Sequence, residues 1–233
     1  IPVREVPDPQ MVRYNRHHYR CESCQTDVIA NHRDCPSTGG FGVNLLAQVV
    51  LFHFEHRIPY NKLLELLQQL YGLDTNPKTL LDVCERMMDV ARPEYDEIQT
   101  RIQSSKIVYA DETSHYVNGE NKWLWAFTTK KQTLYTLRET RGSEVLEKIL
   151  GDDFSGIVVC DGHTAYPAFH SRLQRCWGHL LRGTDQLSDD DDEAWGIYND
   201  LFDIYEGLQE FLETDPPLLQ RLVVAKDTRR ELR

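Results

Sequence analysis

The chain has 233 residues, enough for one large domain or two small ones around a real core. With 40% hydrophobic and 27% charged residues it is of globular composition, which excludes a disordered, collagen-like or disulfide-dense chain. The net charge of −11 speaks against broad contact with nucleic acid, but residues 184–233 hold nine Asp and five Glu against five bases, and the remainder is nearly balanced. No apolar run reaches the roughly 18 residues of a membrane span; the longest, Leu45–Phe54, is broken by Gln48 and His53. The opening Ile1-Pro2-Val3-Arg4-Glu5 lacks a signal-peptide pattern and an initiator Met, so a start upstream and a cytoplasmic location are expected. Six Cys, scattered apart from one CxxC, point to reducing surroundings and a metal site before disulfides.

Four stretches follow one another. Residues 1–40 are polar, hold Cys21, Cys24 and Cys35, and end in the loop signal Pro36-Ser37-Thr38-Gly39-Gly40. Residues 41–104 read as a helical domain: Leu45, Val49 and Phe52 recur at helical spacing, then Leu63, Leu64, Leu67, Leu70 and Tyr71, then Leu80, Cys84 and Met87. Gly72–Pro77 is expected to stop one helix and start the next, with Asn76 as N-cap and Pro77 at the first helical position.

Residues 105–183 change period. Ile107–Ala110, Trp123–Phe127, Leu134–Leu137 and Ile157–Cys160 are short β-branched and aromatic runs bounded by turn signals such as Asn118-Gly119. Helical stretches at Ser143–Leu150 and Tyr166–Arg172 separate the third, fourth and a fifth strand at Leu173–Trp177. The order β-β-β-α-β-α-β predicts an α/β unit with an antiparallel meander followed by parallel crossovers. Residues 184–233 are acidic and helical, with an apolar stripe from Trp195 through Tyr198, Leu201, Phe202, Tyr205 and Leu208 to Phe211 and Leu212.

Two runs are followed by a carboxylate: Asp111 after Ile107–Ala110 and Asp161 after Ile157–Cys160. If those strands are parallel neighbours, both acids converge on the sheet edge where α/β proteins bind ligands. Two close carboxylates repel and are stabilised by a hard cation, Mg²⁺ or Mn²⁺, which can activate a phosphodiester for in-line displacement. The plainer alternative is two turn acids, since Asp161-Gly162 is a good turn dipeptide.

Ala110-Asp111-Glu112-Thr113, the run Asp153–Tyr166 and Cys176-Trp177-Gly178-His179 stand in an order that resembles DDE transposases of the insertion sequence 66 family. That resemblance implies a ribonuclease H-like mixed sheet at 105–183, preceded by the helical domain and followed by the start of a helical insertion at 184–233. It implies Asp111 and Asp161 as catalytic carboxylates that hold Mg²⁺ (or Mn²⁺) for DNA cleavage and strand transfer. His179 is implied as a supporting or DNA-facing group. The partners implied are DNA, at the terminal inverted repeats of the element, and further copies of the chain, with no membrane.

The family's third carboxylate, a helical Glu, is expected past residue 233, and a first CxxC upstream of residue 1. Glu206, Glu210 and Glu213 read as solvated acids of an amphipathic helix rather than as that third group. His163 stands where the family often carries an aromatic.

Cys21-x2-Cys24 is half of a Zn²⁺ site, which makes residues 1–40 zinc-ribbon-like; His32 and Cys35 are the in-chain ligands that would complete it. The bland alternative is a pair of reduced thiols. His53 and His56 read as core or surface histidines, and the Asp189–Asp192 run as a solvated loop without a calcium-loop rhythm. The break at Tyr71–Leu80 resembles a helix-turn-helix, but Asp82, Glu85 and Asp89 on the second helix are poor company for phosphates. Three functions are therefore carried forward: a DNA transposase, a truncated remnant that binds zinc or DNA without cutting, and a ribonuclease H-like nuclease.

Overall fold

A computed structural model describes residues 10–30, 35, 40–169, 172–188 and 192–232, so His32 and Asp189–Asp191 lie outside the described residues. The chain divides into two compact units, Ile1–Glu94 and Tyr95–Arg233. Among the described residues no helix is long and apolar enough to cross a membrane.

In the first unit, β1 (His18–Arg20) and β2 (Asp27–Ile29) pair antiparallel, with Tyr19 opposite Val28. The CxxC forms the turn between them: the Cys21 N–H donates to the Thr26 carbonyl and the Gln25 N–H to the Cys21 carbonyl. Gln25 takes a left-handed φ of 58° to close it.

Helices α1 (Val43–Val50), α2 (Tyr60–Tyr71) and α3 (Pro77–Gln103) follow, with a wide π turn at Leu51–Glu55. Their boundaries obey local chemistry. Gly72, at φ 63°, ends α2 in the left-handed conformation that costs glycine nothing. The Asn76 Oδ1 accepts the Thr79 N–H at 3.0 Å, an N-cap bond, and Pro77 opens the helix. The stripe of Leu46, Val49, Leu63, Leu67, Leu80 and Val83 forms one buried cluster. The His53 ring stacks on Tyr60 at 4.1 Å, and its Nδ1 lies 3.0 Å from the Ile58 carbonyl, so it is a packing residue. Within α3, Pro93 removes one backbone donor, and the unit boundary falls just after it, at Glu94.

The second unit is built on β3 (Ile107–Val117), β4 (Glu120–Thr128), β5 (Thr133–Arg138), α4 (Ser143–Leu150), β6 (Ile157–Cys160), α5 (Ala165–Phe169) and β7 (Leu173–Arg175). The five strands form one mixed sheet in the order β5-β4-β3-β6-β7. β3, β4 and β5 run antiparallel in sequence, whereas β6 pairs parallel with both β3 and β7. Two expectations change here. β3 does not stop at Ala110 but runs on to Val117, because the Asn118-Gly119 turn (φ 51° and 85°) zips its polar half onto β4. Trp177 opens a helix instead of closing β7.

One sheet face is packed. Val108, Ala110, Trp125, Phe127, Leu134, Val158 and Cys160 meet Val145, Leu146, Ile149 and Leu150 of α4, Ala165 and Tyr166 of α5, and Ile102 of α3 in a single core. Gln99 and Gln103 of α3 donate to the Ile149 carbonyl at 3.1 and 2.9 Å, satisfying an end of α4 that has no helical partner. The opposite face leaves Ile107, Tyr109, Tyr135 and Leu137 exposed. After the sheet come α6 (Trp177–Ser188), α7 (Asp192–Glu213) and α8 (Leu218–Glu231). The middle of the α7 stripe, Tyr198 to Phe211, is half-buried, with Tyr205 on Trp177 of α6 at 5.6 Å, whereas its ends Trp195 and Leu212 are exposed, as are Glu206, Glu210 and Glu213.

Candidate functional site

The parallel ladder between β3 and β6 matches Ile107 with Ile157, Val108 with Val158 and Tyr109 with Val159. Run on by two residues, this register sets Asp111 level with Asp161. The two acids reach that level differently. Asp111 sits inside β3, opposite Ala126 of β4, on the open face with Ile107 and Tyr109, and its side chain is 60% exposed. Asp161 begins the loop after β6, and its side chain is 18% exposed.

Asp161 is anchored on both carboxylate oxygens. Its Oδ1 accepts the His163 N–H at 2.8 Å, which closes the turn at Gly162, and its Oδ2 accepts from Arg141 Nη2 at 3.2 Å. Arg175 holds the Asp161 carbonyl. The turn acid and the site acid are thus the same residue, and neither role excludes the other.

Arg141 leads to a group that no sequence motif singles out. Its Nε donates to Glu112 Oε1 at 2.6 Å, and the Tyr166 hydroxyl donates to Glu112 Oε2. The Glu112 side chain is fully buried. Strand alternation puts it there: Val108, Ala110 and Glu112 share the packed face, so the inward period that began with two apolar residues ends on an acid. That alternation was the available signal for Glu112. The guanidinium also lies 5.0 Å from the Trp123 ring, within cation–π reach. Nothing comparable marked Arg141, which stands in the Thr140–Gly142 loop.

His179 lies in the first turn of α6 with Nε2 3.8 Å from Asp111 Oδ1, an ion-pair distance and not a hydrogen bond. Its Nδ1 is buried with no hydrogen-bond partner among the described residues. Asp111, Asp161, His179, Glu112 and Arg141 therefore belong to one end of the β3–β6 pair.

Burial and the hydrogen bond to Glu112 push the Tyr166 hydroxyl far above the ordinary tyrosine range. Tyr60 is pushed up to about 12 by burial and the Cys84 thiol, and Cys160 to about 11 by burial. Groups raised in the folded state stabilise it fully below their unfolded values and lose that contribution as pH climbs toward the folded ones. With unfolded values of about 8.5 for Cys and about 10 for Tyr, stability is expected to fall through the alkaline range above about pH 9. Urea-unfolding midpoints along a pH series check this, and Tyr166→Phe should flatten the fall.

The zinc candidates lie in the first unit. Cys21 and Cys24 flank the β1–β2 turn, Cys35 is half-buried, and among the described residues no three His, Cys, Asp or Glu side chains cluster closely enough to hold a metal. Hydrogen bonds from the Thr26 side chain and backbone, and from Cys21, lower the Cys24 thiol to about 7. Cys24 is expected to be alkylated fastest by iodoacetamide at neutral pH, with buried Cys84 and Cys160 slowest, as peptide mass mapping would read.

Taken together, the chain is a mixed α/β protein with a carboxylate–guanidinium site where two parallel strands diverge. Residues 38–232 match the family model described as Transposase IS66 family, and the chain belongs to that family. No curated protein matches the chain.

Proposed function

We propose that the chain is a DDE-type DNA transposase that uses Asp111 and Asp161 to cleave DNA and transfer strands at the terminal inverted repeats of its element. The observation that carries this reading is the parallel β3–β6 register, which, run on past the end of β6, sets Asp161 of the following loop level with Asp111 of β3. The strand order supports a ribonuclease H-like core. A cytoplasmic setting and pairing with further copies of the chain accompany it.

Asp111 and Asp161 would hold Mg²⁺ or Mn²⁺. Their oxygen donors suit a hard ion that binds through one or two carboxylates and completes its shell with water and substrate phosphate. Asp111 is open, and Asp161 keeps lone pairs beyond its two anchors. When bound there, such an ion would supply Lewis-acid polarisation of the phosphodiester and of the attacking hydroxyl. Arg141 contributes a fixed positive charge beside the phosphate, and His179 offers Nε2 to a proton or water at Asp111. Glu112 is not the third carboxylate, because it is buried and committed to Arg141 and Tyr166. Cys21 and Cys24 would hold Zn²⁺ as thiolates, a role that the lowered Cys24 pKa suits.

The test is nicking of a labelled terminal-repeat duplex in Mg²⁺. The full-length transposase is expected to nick, and Asp111→Asn and Asp161→Asn in it to fall to background while still binding the duplex. Nicking by Asp111→Asn at the wild-type rate would refute the assignment. A second reading is favoured by Arg141 already compensating Asp161: a protein that binds DNA without cutting it. Wild-type protein that binds the duplex but leaves it intact in both Mg²⁺ and Mn²⁺ selects that reading.

A further inference from the structure

At the N-terminal start of β3, four residues before Asp111, a cleft is lined by Arg101 in the last turn of α3, Lys106 after it, Ile107 and Tyr109 of β3, and Lys130 and Lys131 in the β4–β5 turn. No acid lines it, in a chain of net charge −11. Three lysines elsewhere are neutralised, Lys62 by Glu65, Lys78 by Asp82, and Lys122 by Glu120 and Glu139, while Lys148 and Lys226 stand singly, outside any such cluster. Arg101 is paired with Glu97. Lys106, Lys130 and Lys131 are exposed and take no carboxylate among the described residues.

The lysine turn is ordered. The Thr129 N–H donates to the Gln132 carbonyl at 2.9 Å, and Thr129 Oγ1 accepts the Lys131 and Gln132 N–H groups at 3.3 Å. Three ammonium groups without a carboxylate partner among the described residues thus line one cleft together with an exposed tyrosine. That is the chemistry of a polyanion contact.

Position selects the polyanion. Ile107, Tyr109 and Asp111 alternate onto the same open sheet face. At about 3.3 Å per residue, Ile107 lies about 13 Å from Asp111, or about four base-pair rises along a DNA axis. We infer that this cleft grips the phosphate backbone of the DNA flanking the position handled at Asp111 and Asp161, through Lys106, Lys130 and Lys131. The inference rests on the proposed transposase reading for its partner, though its geometry is separate from the carboxylate site.

Fluorescence anisotropy of a labelled duplex over a salt series tests it. Neutralising Lys106, Lys130 and Lys131 to Gln together should weaken binding and reduce the slope of log K against log salt by about 2–3, at about 0.9 for each phosphate left without its lysine. The same change at Lys226, Arg229 and Arg230 of α8 should leave the slope as in the wild type. A cleft triple variant with the wild-type slope, or an α8 triple variant with an equal loss, overturns the inference. Failure to nick with the slope change intact removes the catalytic reading and leaves the cleft standing.

Discussion

Replacing Glu112 with Ala is expected to destabilise the second unit by about 1–3 kcal/mol, the cost of leaving the buried Tyr166 hydroxyl and one Arg141 N–H without their acceptor. The Glu112 carboxylate is the meeting point of two donors, Arg141 Nε at 2.6 Å and the buried Tyr166 hydroxyl. Without it, the buried Tyr166 hydroxyl loses its acceptor and Arg141 keeps only Asp161. Glu112→Gln keeps the shape but supplies one neutral acceptor where two donors converge, so its loss should fall between wild type and Ala. Urea unfolding read by tryptophan fluorescence gives the order. An Ala variant within about 0.5 kcal/mol of wild type would show that the network carries no stability. The effect should also reach Asp161, because Arg141 donates to both acids and loses its second anchor.

The parts of the fold legible in the sequence were those where local chemistry decides alone. Ser143–Leu150 and Ile157–Cys160 lie where their periodicity placed them, because each is an apolar stretch between strong breakers. The Gly72 stop and the Asn76-Pro77 start hold for the same reason. The second half of β3 was not legible. Ser114, His115 and Tyr116 are exposed and carry no alternation, and the strand exists there because β4 pairs with it. Asp111 thus turned from a strand-end acid into an acid within a strand. Asp111 and Asp161 could be singled out as carboxylates after apolar runs, but the Glu112–Arg141–Tyr166 network joins residues 29 and 54 positions apart. No local pattern encodes such a network. It follows only from the packing that brings the Arg141 loop and α5 to one face of β3.

Trp125 tests whether that packing holds the site. It is fully buried, stacks near Phe127 at 5.9 Å, meets the Tyr166 ring edge-on at 6.2 Å, and donates its indole N–H to the Thr140 carbonyl at 3.2 Å. Thr140 is the residue before Arg141, so one side chain fills the core and ties down the loop that presents the guanidinium. Trp125→Ala is expected to cost about 3–5 kcal/mol, as large aromatic truncations in cores do. Trp125→Phe restores most of the volume and loses the indole bond, leaving the Thr140 carbonyl unsatisfied at about 1–3 kcal/mol. The informative measurement is the double-mutant cycle of Trp125→Phe with Glu112→Gln, read by urea unfolding. If the indole positions Arg141 for Glu112, the two changes share one network and their effects should depart from additivity by more than about 0.5 kcal/mol. Strict additivity would mean that Trp125 is only filler, and that the Arg141 loop holds its place by its own interactions with Glu112, Asp161 and Trp123.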